Sequence, residues 1–155
     1  VEMRVKMALK GGATHGISRP LGAAKEELDA ICPGGPDIII DSTGHYQVFT
    51  DVLHAAKRFG RVVLLGDTGT PSKQCLTHDV MNKGLEIVGA HDCHEDPTWN
   101  TNIITDLLFR LVKAGRFSLA GLNTHNFTPE QNVEAYKTAN EKRAETMGIT
   151  FSWQA

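Results

Sequence analysis

Two stretches of the sequence, PDIIIDSTG at residues 36–44 and GRVVLLGDTG at residues 60–69, share one design. In each, a short apolar run ends at a corner of glycine and small polar residues. A third stretch, GLEIVGAHD at residues 84–92, repeats the apolar run. Unbroken rows of branched apolar residues are typical of strands that are covered on both faces of a parallel sheet. We therefore predict three such strands, with room for a ligand beyond their carboxyl ends.

Helical patterns separate these strands. Five segments carry apolar residues at helical spacing or end at glycine, namely residues 1–10, 20–31, 45–60, 74–84 and 101–116. The sequence ATHGIS at residues 13–18 predicts one more short strand. This alternation favours an α/β fold with a mostly parallel, doubly wound sheet, in which we expect about four strands.

The pattern changes near Gly121, where regular crossovers give way to a separate β-α-β tail. Strands are predicted at residues 122–127 and 148–153. The helix between them begins with Thr128 as its N-cap and Pro129 as its first residue. We therefore predict one regular α/β domain over residues 1–120 and a separate tail over residues 121–155.

The composition sets limits on function. The chain has 155 residues, of which 41% are hydrophobic and 22% charged, as in an ordinary globular protein. A formal net charge of −2 gives no electrostatic reason to expect nucleic acid or an anionic membrane as a partner. The apolar runs are far shorter than the roughly 20 residues of a membrane helix. Three scattered cysteines without C-x-x-C spacing favour a reducing, cytoplasmic location.

The corners allow both functional and structural interpretations. At Ser42, Thr43 and Gly44, small residues would let a ring or a ribose approach the backbone, but any tight turn from a strand into a helix favours the same residue types. The corner at residues 65–69 lacks the G-x-x-x-x-G-K-[ST] spacing of a phosphate loop. No G-x-S-x-G motif supports a hydrolase.

The stretch HDCHED at residues 91–96 contains every common type of zinc ligand. However, zinc sites usually distribute their ligands so that the backbone can wrap around the ion, and three ligands within four residues rarely reach one metal. A polar loop at the mouth of a cleft is the alternative, in which His91 would be a candidate for contact with a substrate. We predict no metal ligand in this chain.

Taken together and in order, the segments GGATHGI (11–17), GGPDIIIDSTG (34–44), FGRVVLLGDTG (59–69) and GLEIVGAHD (84–92) resemble a known family. They are similar to the C-terminal, coenzyme-binding half of the zinc-type alcohol dehydrogenases, in the medium-chain dehydrogenase/reductase superfamily. The polyol and threonine dehydrogenase branches are the most similar. The resemblance runs from residue 1 to about residue 153 and implies a partial Rossmann sheet, whose tail returns to the catalytic domain.

The resemblance implies contacts with NAD or NADP at three corners. The first corner would border the adenosine, and its residues are Ser42, Thr43 and Gly44. The second would lie beside the nicotinamide ring, and its residues are Leu65, Gly66 and Asp67. The third would hold the carboxamide, and its residues are Ala90, His91 and Asp92. Met147 falls near the place where some members have a basic residue on the pyrophosphate.

The resemblance also implies which parts of the family's site come before this sequence. These are the G-x-G-x-x-G turn, the acidic residue that binds the ribose hydroxyls, and the catalytic domain with its zinc ligands. We therefore predict no catalytic residue here and assign zinc to the parent enzyme only.

Two functions stay open. The chain is either the coenzyme-binding portion of an NAD(P)-dependent alcohol or polyol dehydrogenase, or a non-catalytic Rossmann-like module that binds a nucleotide or self-associates. For either, we expect a homodimer through the strand at residues 85–90, because an uncovered apolar edge strand favours pairing.

Overall fold

The computed structural model describes residues 1–91 and 93–153. The chain forms two compact units: one contains residues 19–103, and the other combines residues 1–18 with those from 104 onward. The division that the sequence predicts near residue 121 stays a prediction.

Six α-helices and five strands lie in the described residues. The helices are α1 (Glu2–Lys10), α2 (Lys25–Ile31), α3 (Tyr46–Ala55), α4 (Asp79–Lys83), α5 (Thr101–Lys113) and α6 (Asn132–Glu141). The strands are β1 (Ile38–Asp41), β2 (Arg61–Leu64), β3 (Glu86–Gly89), β4 (Asn123–Phe127) and β5 (Gly148–Phe151). None of the described helices is long and apolar enough to cross a membrane.

The first unit is built on a parallel sheet in the order β1-β2-β3. Its core lies between this sheet and α3. Leu53 of α3 and Val62 of β2 are completely buried at its centre. Burial of a side chain of this size contributes about 1.5–3 kcal/mol to folding, so this contact fixes α3 against the sheet. The α/β class with a parallel sheet is confirmed.

The predicted strand at residues 13–18 is wrong, because this segment is irregular and pairs with no strand of the described chain. The larger sheet therefore has three strands rather than about four. A strand is defined by hydrogen bonds to a neighbour, and a short segment of sequence does not specify that neighbour.

The expectation that all three central strands are covered on both faces is wrong for β1. Ile38 and Ile40 are 59% and 61% exposed, whereas Ile39 packs on the core and Asp41 is buried. Successive side chains of a strand point to opposite faces, so α3 covers only the face that carries Ile39 and Asp41. The other face of β1 is open in the described chain.

The predicted helices are confirmed, with shorter bounds in several cases. Residues 20–31 divide into a 3-10 turn over Leu21–Ala23 and then α2. The helix predicted over residues 45–60 ends at Ala55, because the backbone of Ala56 is extended. From there Lys57 N–H donates to the Pro36 carbonyl, and the chain turns into β2.

The second unit contains the predicted β-α-β tail, which is confirmed. β4 and β5 pair in parallel, and α6 connects them. Thr128 and Gln131 form a reciprocal capping box at the 3-10 turn that leads into α6. In the same unit, the Arg4 guanidinium of α1 donates to the carbonyls of Arg143 and Thr146 and so ties α1 to the connection between α6 and β5.

Candidate functional site

The first two corners lie against each other at the carboxyl ends of β1 and β2. Gly44 has a positive φ of 65°, and a Cβ added there would lie 1.7 Å from the Asp67 carbonyl oxygen. A Cβ on Gly66 would lie 2.6 Å from the Ser42 carbonyl carbon. Both distances are far below van der Waals contact. Glycine is therefore required at both positions for the corners to pack together.

Asp41, the last residue of β1, bonds to both corners. Its carboxylate oxygen Oδ1 accepts the Thr43 N–H at 2.8 Å and the Thr43 hydroxyl at 2.6 Å. Its backbone carbonyl accepts the N–H groups of Leu65 and Gly66, both at 2.9 Å. The residue is only 3% exposed. None of the described lysine, arginine or histidine side chains forms an ion pair with it.

The hydrogen bonds to Asp41 determine which polar groups of the first corner can still bind a ligand. Both donors of Thr43, its N–H and its hydroxyl, are committed to Asp41, and its hydroxyl oxygen also accepts the His45 N–H at 3.2 Å. Ser42 is exposed, and its hydroxyl has no hydrogen-bond partner within the described part of the chain. Ser42 is therefore the side chain of this corner that can donate a hydrogen bond to a ligand.

The second corner offers an apolar surface beside open space. Leu65 is 48% exposed at the end of β2, and Asp67 is exposed as well. A Cβ added to Gly69 or Gly89 would meet no atom within 4 Å. An exposed apolar side chain at a strand end can pack against a flat ring.

The third corner adds one more hydrogen bond to the pairing of β3 with β2. Ala90 N–H donates to the Leu64 carbonyl at 2.9 Å and places this corner next to the end of β2. His91 is exposed, its Nδ1 accepts the Cys93 N–H at 3.1 Å, and its carbonyl accepts the His94 N–H at 3.2 Å. Asp92, the third predicted contact, lies outside the described residues. The described residues contain no group of three metal-ligand side chains that could hold an ion.

An aromatic and cationic group follows the first corner and was not predicted from the sequence. The rings of His45 and Tyr46 stack with centroids 4.5 Å apart, and Lys73 Nζ lies 5.2 Å from the Tyr46 centroid. His45 is the N-cap of α3, where its Nδ1 accepts the Gln47 N–H. The two adjacent aromatic residues directly after Gly44 are visible in the sequence. That Lys73 lies over the Tyr46 ring depends on the fold and could not be predicted from the sequence.

A hydrogen-bonded network joins α3 to α4. The Asp79 carboxylate accepts from His54 Nδ1 at 2.5 Å, from Thr77 at 3.1 Å and from Lys83 at 3.1 Å. Burial raises the pKa of Asp79, but the hydrogen bonds from Lys83, His54 and Thr77 together outweigh it. The pKa therefore lies below its ordinary value of 3.8.

A cavity of about 800 Å³ lies between α2 and the C-terminal end of α3. None of the predicted corner residues lines it. Two of its cations already have carboxylate partners, since Lys25 pairs with Asp29 and Lys83 with Asp79. The strand ends are therefore the better candidate site, because there the small residues, the free hydroxyl and the open space come together.

Comparison with known proteins supports the same class. Residues 1–107 match the family of zinc-binding dehydrogenases. Over 137 residues the chain is 28% identical to an L-threonine 3-dehydrogenase of Bacillus licheniformis, an alignment that covers 88% of this chain and 38% of that protein. The chain thus spans well under half the length of this curated relative.

Solved structures share the fold. A zinc-binding alcohol dehydrogenase domain protein from Burkholderia ambifaria superposes with a TM-score of 0.79 at 25% identity, over 99% of this chain and 40% of that one. An alcohol dehydrogenase from E. coli, crystallised with NADH, superposes with a TM-score of 0.75 at 20% identity, over 98% of this chain and 42% of that one.

The fold is that of an α/β protein with a parallel sheet, as in the solved dehydrogenase structures. Since the family match covers more than half of its residues, the chain belongs to the zinc-binding dehydrogenase family. It matches the C-terminal, coenzyme-binding half of the zinc-type alcohol and threonine dehydrogenases.

Proposed function

We propose that the protein is an NAD- or NADP-dependent dehydrogenase of a small alcohol or polyol, and that this chain is part of its coenzyme site. The observation that carries the proposal is the pair of interlocked corners at the ends of β1 and β2. Open α/β sheets bind ligands in the crevice beyond the carboxyl ends of their strands. A dinucleotide is long enough to lie across several strand ends, which accounts for the repeated corner.

In this proposal, each corner has its own contact. The adenosine borders Ser42, Thr43 and Gly44, with the Ser42 hydroxyl as the free donor. The nicotinamide ring lies against Leu65, Gly66 and Asp67, with the exposed Leu65 as its apolar support. The carboxamide binds at Ala90, His91 and Asp92. The chain's contribution is to hold and orient the ring, while the coenzyme supplies the hydride chemistry.

Zinc is not assigned to the described residues, because they hold no suitable group of ligands. In the proposal, a catalytic zinc belongs to the remainder of the parent enzyme. Met147 supplies no cation for a pyrophosphate, and its backbone N–H donates to Thr124 at 3.0 Å.

The test uses the protein expressed from its complete reading frame, with zinc, NAD or NADP, and a panel of alcohols and polyols. We expect coenzyme-dependent oxidation, with the coenzyme KM raised at least tenfold by Leu65→Asp. The matched control is Leu76→Asp, because Leu76 is also exposed, at 69%, but lies outside the corners. Absence of both NADH binding and turnover in the wild-type protein would refute the proposal and favour a non-catalytic module.

We further propose that the protein is a homodimer that pairs through β3. Glu86 and Ala90 donate their N–H groups to carbonyls of the β2 strand and its flanking residue Gly60. Alternate residues of a parallel strand bond to opposite neighbours, so Gly89 directs its N–H to the other edge, which pairs with no strand among the described residues. Such an edge favours pairing with a second copy.

Light scattering after size exclusion tests the dimer. Gly89→Pro removes one edge N–H and no side chain, and we expect it to yield a monomer that keeps its helical circular dichroism. Val88→Pro removes an N–H that faces β2 and should unfold the protein instead. A wild-type monomer at micromolar concentration would contradict the proposal.

We also propose a cytoplasmic location, which the three free cysteines support. The proposed division of the chain is a coenzyme domain over residues 1–120 and a tail over residues 121–155 that returns to the catalytic domain. Fractionation of cells that express the protein would test the location.

A further inference from the structure

We propose that Asp41 is the positioning residue of the coenzyme site, because it fixes both of the first two corners from one buried point. This inference rests on the proposed function and deepens it. Asp41 itself was not predicted as a contact, and its burial keeps its carboxylate away from a bound ligand.

The carboxylate of Asp41 sets the conformation of the first corner. Its Oδ1 accepts both the N–H and the hydroxyl of Thr43, so two bonds fold the chain back directly after the strand. The Thr43 hydroxyl in turn accepts the N–H of His45, the N-cap of α3. One carboxylate oxygen thus determines how the strand passes into the helix.

The backbone carbonyl of Asp41 sets the second corner. It accepts two N–H groups, those of Leu65 and Gly66, at the end of the neighbouring strand. Two donors on one carbonyl hold the start of the second corner beside β1, where the Asp67 carbonyl lies against Gly44. These carbonyl bonds persist with any side chain at position 41, so the side chain of Asp41 acts on the first corner, which its own backbone holds beside the second.

Burial makes the carboxylate costly unless its hydrogen bonds are made. At 3% exposure and without a cationic partner among the described residues, Asp41 is stabilised by Thr43. An apolar residue would be the simpler choice for a core strand. A carboxylate at this strand end is explained by its role in holding the conformation of the first corner beside the candidate site.

The arrangement also selects the chemistry of the first corner. With both donors of Thr43 bonded to Asp41, the Ser42 hydroxyl is the side-chain group that the corner presents to a ligand. The Ser42 hydroxyl can both donate to and accept from a ribose hydroxyl. We therefore place a neutral, hydroxyl-bearing part of the coenzyme at this corner.

The experiment compares variants of the protein expressed from its complete reading frame. Coenzyme KM, kcat and the urea midpoint are measured for wild type, Asp41→Ala, Asp41→Asn and Val62→Ala. Val62 is completely buried in the same sheet but lies outside the corners. It therefore serves as a control for destabilisation alone.

We expect Asp41→Ala to raise the coenzyme KM at least tenfold with less than a threefold change in kcat. Asp41→Asn keeps an acceptor oxygen at the same place, and it should recover most of the lost affinity. Val62→Ala should lower the urea midpoint and leave the KM within twofold of wild type. A raised KM in Asp41→Ala, but not in Val62→Ala, distinguishes a positioning role from a general loss of stability.

Two results would overturn the inference in different ways. If wild type is active but Asp41→Ala raises the KM no more than Val62→Ala, Asp41 is a structural residue and the proposed function stands. If wild type neither binds nor uses a coenzyme, the inference falls together with the proposed function.

Discussion

The close contact between Gly44 and the Asp67 carbonyl predicts that Gly44→Ala destabilises the protein. The backbone of Gly44 has a φ of 65°, and a left-handed conformation costs an L-residue about 1–2 kcal/mol. The new Cβ would also lie 1.7 Å from the Asp67 carbonyl oxygen, so the two corners must separate. Forcing atoms into a packed site costs typically about 1–3 kcal/mol.

Together these effects predict a loss of about 3 kcal/mol in the free energy of unfolding. For a chain of this size, that loss lowers Tm by about 10 °C. Urea denaturation followed by circular dichroism measures the free energy directly, and a thermal scan checks the shift. Because the same contact spaces the proposed coenzyme corners, NADH affinity should fall as well.

Gly34→Ala is the matched control. Gly34 also has a positive φ, of 83°, but a Cβ there would meet no atom within 4 Å. Only the backbone cost of about 1–2 kcal/mol should therefore appear. If Gly44→Ala destabilises the protein no more than Gly34→Ala, the interlocking of the two corners is not as the structure shows it.

Three further predictions concern the core, a helix start and pH. Leu53→Ala should cost about 2–5 kcal/mol in urea denaturation because Leu53 is completely buried, whereas Met81→Ala, at an 81% exposed position, should stay within about 0.5 kcal/mol. Thr128→Ala should cost about 1 kcal/mol by removing the capping box, and an unchanged urea midpoint would contradict that role. The lowered pKa of Asp79 adds stability that is present above the ordinary value of 3.8 and is lost as pH falls through the lower folded value. Asp79→Asn should therefore reduce the loss of stability between pH 5 and pH 3, as urea midpoints at the two pH values would show.

The sequence by itself determined the local structure. Branched apolar rows predicted β1, β2 and β3, and glycine and small residues predicted the corners that follow them. Thr128 and Pro129 predicted the start of the last helix, which the capping box confirms. Each of these features is set by interactions within a few residues, so a short window of sequence carries the information.

The tertiary structure decided the pairing and the covering of these elements. The strand predicted at residues 13–18 is absent because no described strand pairs with it. Ile38 and Ile40 are exposed because α3 packs on the other face of β1. An apolar row shows that a strand can be buried, but the neighbour that buries it lies elsewhere in the chain.

For the candidate site too, the sequence indicated the residue types and the tertiary structure decided their contacts. The residue types at Ser42, Gly44 and Gly66 marked the corners in the sequence, but their contact across two strands did not follow from any spacing. The double role of Asp41 was also beyond the sequence, since its carboxylate bonds within the first corner and its carbonyl bonds to the second. Local patterns encode local conformation, and hydrogen bonds between segments far apart in the chain exist only once the sheet has formed.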